Sequence, residues 1–506
     1  MKMSKYHMAV IVPLLLFLAL LYPLKDGFTD DGYIHIQYAR NIMAHGEYSF
    51  NPGVVSFGTT SPLWVLLQAV CGIVAGGGAD VMVHSSRICS WLGGLLALVA
   101  VFGLMRALGG GWLLAFLASL AFAADAWFVR WTAMSMESSS AALAMILVGI
   151  ASVRACTDKR SALMLGFLLG IAALLRPEAY LFFPVFLVSL FLRGGRVDSR
   201  CAAGTAAMFS AVIVPWLLFA RLHIGSFLPN TAGAKSGGIV TDPVLFIQKF
   251  SPIVKIIGST QALWVVAILA SIVLCRRRSP LLSPRYRFLA LCTVALPVAY
   301  VLFDMQVLSR YLLLITPFIA VMGVASANEV LQRLGFHAKT RTLALVAVTL
   351  LSVVTSSFVY FTVVVPPSRA FSRDLTHELR NLALYLKDHS DANAVVAAAD
   401  IGYLAFYSER TVLDLGGLVE PVTGALREQY TYEEIVDRGL YLTLDSYPHV
   451  DYFIDRVHEP RRFDGQILQN HRFEAVLVKV VDNLGIRKPG PYYYTLYKLY
   501  DLRNSP

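Results

Sequence analysis

Charge is what this sequence has least of. Only 15% of its 506 residues are Asp, Glu, Lys or Arg, against roughly a quarter in soluble globular chains. That shortage excludes a water-soluble protein over most of the length. Cysteine is scarce as well: six residues, Cys71, Cys89, Cys156, Cys201, Cys275 and Cys292, with no CxxC and none beyond position 292. The C-terminal third is therefore no disulfide scaffold, and no cysteine pair has metal-ligand spacing. The six are read as small apolar fillers. Internal repeats and low-complexity segments are also missing, which counts against solenoids and against the repeat symmetry of many secondary transporters.

What the chain has instead is apolar length. Hydrophobic residues make up 57% of it, and apolar runs recur from residue 8 to about 365 and then stop. A membrane helix needs about 20 apolar residues. Candidate spans fall near 8–24, 86–106, 111–124, 133–153, 161–175, 178–192, 201–222, 261–275, 286–303, 310–331 and 342–364. One further run, 62–74, is short and opens on Thr60-Ser61-Pro62, a helix-start signal. Counted as a span, it would put the later basic loops opposite Lys2 and Lys5. The positive-inside rule therefore favours a juxtamembrane helix on the outer face.

These choices predict a polytopic α-helical membrane protein of about eleven spans, its N-terminus cytoplasmic. The first hydrophobic segment, followed by Lys25-Asp26-Gly27, is read as an uncleaved helix rather than a signal peptide. Residues 1–365 form the membrane part. Residues 366–506 form a soluble α/β domain outside the membrane, with an amphipathic helix over 372–389 and strands near 394–399, 411–415, 452–454, 475–481 and 492–499. The net charge of +10 comes in short bursts at Arg154 with Lys159-Arg160, at 193–200 and at Arg276-Arg277-Arg278. Cytoplasmic loops have that pattern. A nucleic-acid partner, which needs a continuous basic surface, is excluded.

With this topology several polar breaks share the outer side. Asp30-Asp31 follows the first span, with Asp31, His35 and the Tyr38-Ala39 backbone at helical spacing and Arg40 and Asn41 on a neighbouring face. A carboxylate there is suited to deprotonate an acceptor hydroxyl or to help hold a divalent cation. Polar punctuation after a span is the plainer explanation of a single Asp. Glu137 lies at the outer end of the fourth span, and an ionisable residue there is a functional candidate. Arg176-Pro177-Glu178 breaks an apolar run, Leu228-Pro229-Asn230-Thr231 and Lys235 lie in a long outer loop, and Arg310-Tyr311 opens the tenth span. Arg176, Lys235 and Arg310 are the outward cations suited to a lipid phosphate.

The order of these pieces carries a resemblance. Asp30-Asp31-Gly32-Tyr33, Tyr38-Ala39-Arg40-Asn41, Phe50-Asn51-Pro52-Gly53 and Thr60-Ser61-Pro62-Leu63-Trp64 resemble the first outer loop of GT-C glycosyltransferases. Within that class they look most like the arabinofuranosyltransferases that finish cell-wall arabinan. Met136-Glu137, Arg176-Pro177-Glu178, Leu228-Pro229-Asn230-Thr231, Arg310-Tyr311, Asp400-Ile401-Gly402 and Leu413-Asp414 follow in the same order. Phe57-Gly58-Thr59 and Gly32 depart mildly from the pattern and leave the sugar open.

The resemblance implies transfer of a sugar, arabinofuranose or another pentose or hexose, from a polyprenyl-phosphate donor to a hydroxyl of an envelope glycan or surface protein. The setting would be the outer face of a bacterial inner membrane. Asp30 and Asp31 form the expected catalytic pair, Asp30 as base. Tyr33, Arg40, Glu137, Arg176, Glu178, Asn230, Lys235, Arg310 and Tyr311 form the expected substrate-binding set. No metal ligands are assigned, since no complete set is visible, and a divalent metal stays open. The competing readings are an envelope glycan or lipid transporter and a non-catalytic assembly factor.

Overall fold

All eleven apolar stretches fall on helices in the structure, a computed structural model that describes residues 5–154, 158–194, 198–227, 238–483 and 489–504. Among the described residues, however, only four helices are long and apolar enough to cross a membrane: Ala79–Ala107, Ser199–Ile224, Pro243–Cys275 and Ala338–His389. A fifth is counted if Trp112–Ala123 and Ala126–Ala133, bent by 60°, make one span. The expected eleven full spans are thus not recovered by length and composition. Ser138–Arg154, for example, has 17 residues, about 26 Å at 1.5 Å per residue, short of a hydrocarbon core of about 30 Å.

The helices are short because polar residues interrupt them. At the 60° bend Asp125 caps Ala126–Ala133, accepting the Trp127 and Phe128 N–H groups at 3.1 and 2.9 Å. Thr260 and Gln261 donate to its other oxygen at 2.9 and 2.6 Å. The carboxylate, 1% exposed, is thus satisfied where the broken helix leaves amides without helical partners.

The chain divides into two compact units. One comprises residues 1–25, 88–217 and 236–365 and is helical. The other joins residues 26–87 and 218–235 to residues 366–506. In this second unit we label the helices α1 (Asp30–His45), α2 (Pro62–Ala75), α3 (Arg380–His389) and α4 (Gly402–Ser408). The strands are β1 (Val395–Ala398), β2 (Thr411–Asp414), β3 (Tyr452–Val457), β4 (Ile467–Leu468), β5 (His471–Asn483) and β6 (Pro489–Asp501).

They form one sheet in the order β2-β1-β3-β6-β5-β4, with β1 parallel to β2 and β3 and the remaining pairs antiparallel. All four residues of β1 are buried, as a central strand covered on both faces requires. Val395, Ala397, Leu413, Phe453 and Tyr497 lie in the core. The leucine stripe expected over 372–389 is buried throughout: Leu375, Leu379, Leu382 and Leu386 are 1–6% exposed.

Candidate functional site

In the sheet-bearing unit α1 begins with Thr29, whose hydroxyl oxygen accepts the Gly32 N–H at 3.1 Å, so Asp30 and Asp31 occupy the first turn. The Asp30 carboxylate accepts the backbone N–H groups of Gly402 at 3.1 Å and Tyr403 at 2.9 Å. The approach is close enough to demand glycine. A Cβ on Gly402 would lie 2.1 Å from the Asp30 carbonyl oxygen. Burial, then the negative charge of Asp400, pushes the pKa of Asp30 up to about 7, although two amide bonds oppose the shift. A carboxyl that titrates there can take up a proton at physiological pH.

Other first-loop motif residues brace the loop itself or tie it to β2 and α4. The Asn51 side chain donates to the Val412 carbonyl at 2.9 Å and accepts the Val412 N–H at 3.0 Å, imitating a strand partner for β2. Asn41 donates to the Ser49 and Phe50 carbonyls at 2.9 and 2.8 Å. Arg40 donates to the Phe406 carbonyl at 2.8 Å and lies over that residue's ring, capping the far end of α4. Tyr33 is 3% exposed; its ring packs on Phe28 and Tyr403, with centroids 4.4 and 3.9 Å away. As placed, Tyr33 and Arg40 join α1 to α4. Asp414, also pushed up by burial, to about 6, accepts three N–H groups, from Gly416, Leu418 and Val419. It shapes a turn.

The helical unit holds the second cluster. Pro177 forces Arg176 into extended backbone (φ −149°, ψ 124°) at the end of Lys159–Leu175. The Arg176 guanidinium donates to Glu137 at 2.6 Å and Glu178 at 3.1 Å and lies 4.7 Å from the Tyr311 ring centroid. Arg310 covers both Tyr311 and Trp131, at 5.2 and 5.3 Å, and Arg130 covers Trp131 at 4.2 Å. Five expected binding residues, Glu137, Arg176, Glu178, Arg310 and Tyr311, thus come together. Arg130 and Trp131 join them without having been expected. With three guanidiniums and two carboxylates named, the cluster has a cationic excess suited to an anion. Asn230 and Lys235 lie outside the described residues. No group of three or more His, Cys, Asp or Glu able to hold a metal ion occurs among the described residues.

Comparison with solved structures matches this arrangement to a known fold. ArnT from Cupriavidus metallidurans in the apo state superposes with a TM-score of 0.61 at 14% identity, covering 97% of each chain. The same protein bound to undecaprenyl phosphate gives 0.59 at 13%, again over 97% of each chain. This chain has a GT-C fold. A third likeness is the Archaeoglobus fulgidus oligosaccharyltransferase, with a TM-score of 0.61 at 12% identity over 90% of this chain and 70% of that one. A sequence family described as Domain of unknown function (DUF8728) matches residues 371–497, within the sheet-bearing part. No curated protein matches the chain in sequence. In this GT-C fold the sequence family covers β1 to most of β6 together with α3 and α4.

Proposed function

We propose that the chain is a membrane glycosyltransferase that moves a sugar from a polyprenyl-phosphate donor to an acceptor hydroxyl on the outer face of a bacterial inner membrane. The observation that carries this reading is Asp30: a carboxyl group held by two backbone amides, titrating near neutrality. The GT-C fold supports it, since one neighbour in that fold was solved with undecaprenyl phosphate and another is an oligosaccharyltransferase. The finer assignment, arabinofuranose or another pentose or hexose delivered to an envelope glycan or surface protein, rests on the first-loop motifs. A fold shared at this identity does not extend to the sugar.

In the proposed reaction Asp30 takes the proton of the acceptor hydroxyl, and Asp31 orients that acceptor. The hydroxyl oxygen then attacks the anomeric carbon, the bond from that carbon to the phosphate oxygen breaks, and configuration inverts. The lipid phosphate leaves with its negative charge, which cationic side chains would receive. Asp30 is preferred as the base because a group titrating near 7 is half available at physiological pH, whereas an ordinary carboxylate holds a proton too weakly to take one effectively. Asp30→Asn and Asp31→Asn, assayed in membranes for transfer from a polyprenyl-phospho-sugar, test the assignment. Full activity in both variants would sink it.

A further inference from the structure

Asp30 begins α1, but its carboxylate is held by α4. Through the Gly402 and Tyr403 amides its position follows the first turn of that helix. The loop leading into that turn contains Asp400, and the sheet grips Asp400 firmly. Arg456 Nη1 donates to both Asp400 oxygens, at 2.7 and 2.6 Å, and the Tyr494 hydroxyl donates at 2.6 Å. Arg456 on β3 and Tyr494 on β6 stand directly opposite each other in the antiparallel pair. Directly opposed residues share a face, so the two donors reach Asp400 from one side of the sheet. Asp400, Arg456 and Tyr494 line a small cavity with Tyr403, Leu379 and Ile454.

An ion pair that only braced a loop would be ordinary. This one adjoins a carboxyl group whose proton affinity it affects. The charge of Asp400 ranks second, after burial, among the causes that raise Asp30, and Asp31 on the same helix adds a smaller contribution. From the elements packed on α1, the titratable groups nearby are Asp400, Tyr403 and Tyr407; α2 contributes no charged side chain. Arg456 supplies the charge that offsets Asp400, and its side chain is only 25% exposed, so solvent screens the pair weakly.

We infer that Asp400, Arg456 and Tyr494 are positioning residues for Asp30: through them the sheet fixes the turn that holds the Asp30 carboxylate and sets the balance of charge around it. The inference rests on the reading of Asp30 as the base. It gives the C-terminal sheet a part in the reaction beyond support of the outer loops.

The test is the pH profile of sugar transfer by the full-length protein in membranes, with a polyprenyl-phospho-sugar as donor. Asp400→Asn removes the negative charge that raises Asp30, so the acid limb moves down by about one pH unit. Arg456→Gln leaves Asp400 uncompensated and moves the limb up by about as much. The double variant returns toward the wild-type position. Tyr494→Phe, which deletes one oxygen and so tests the network even if the charge variants fail to accumulate, moves the limb up by a smaller step. Limbs that stay in place while only the maximal rate or the amount of protein falls would overturn the inference and leave a plain brace. Asp30→Asn separates the two failures. An inactive Asp30→Asn with unmoved limbs removes this inference alone, whereas a fully active one removes the base reading beneath it.

Discussion

In the helical unit Glu137 and Glu178 share one guanidinium, that of Arg176, at 2.6 and 3.1 Å, and Glu137 is 1% exposed. In the sheet-bearing unit the Asp30 carboxylate is held by two neutral amides, and its strongest charged neighbour is another carboxylate, Asp400. Both arrangements hold carboxylates at least partly away from water, with opposite consequences. A carboxylate paired with arginine holds its partner in place, which suits a binding wall. One raised by burial and then by a like charge, against two amides that lower it, keeps its proton until the pH nears neutrality, which suits a base. The difference separates the arginine-paired carboxylates from the proposed base more sharply than their order in the chain does.

The largest effect that would break this comparison is on catalysis. Asp30→Asn is expected to lower transfer about 10²- to 10⁴-fold, the usual range for losing a general base, with normal amounts of protein in the membrane. Glu137→Gln should lose less in rate and more in stability. If the two variants lost equal rate, the division between wall and base would fall. Next comes the ion pair itself. Arg176→Met leaves two carboxylates without their cation and is expected to cost about 3–5 kcal/mol, measured by thermal unfolding in detergent. Arg176→Lys, which cannot reach both carboxylates in the same fork, should fall between. Smaller again is Gly402→Ala. Its Cβ meets the Asp30 carbonyl oxygen at 2.1 Å, so backbone must shift at a cost of about 1–3 kcal/mol. The same shift displaces the amides that hold Asp30, so the rate falls along with the melting temperature.

Much of the framework was legible because it is written in short-range pattern. The apolar runs all fall on helices, and the strand-like runs located five of the six strands; β4, two residues long, is too brief to leave a signal. Glu137, Arg176, Glu178 and Arg310 stood out as charges at the ends of apolar runs. Arg130 was just as visible in the sequence but belonged to no motif, and its place beside Trp131 and Arg310 comes from packing. Long-range partners were not legible at all. Asn51 announces a turn through Pro52 and Gly53, yet its bonds go to Val412, 361 residues on. Asp400 meets Arg456 and Tyr494 across 56 and 94 residues. Tyr33 and Arg40 were expected as binders through the resemblance, and their contacts to α4 were not legible.

A further effect is on stability against pH, and it probes Asp30 without any substrate. Its pKa lies near 3.8 in an open chain and about 7 when folded. Between those values the folded protein holds a proton that the unfolded chain has released. Stability therefore falls as pH rises through this window, the reverse of an ion-paired carboxylate. Below 3.8 both states are protonated, and the full contribution is present; above about 7 it is gone. Asp30→Asn is neutral throughout and lacks this slope. Melting temperatures of the two proteins in detergent should therefore draw together, or cross in favour of the variant, as pH is raised across the window. Parallel curves would mean that folded Asp30 does not keep its proton up to neutrality.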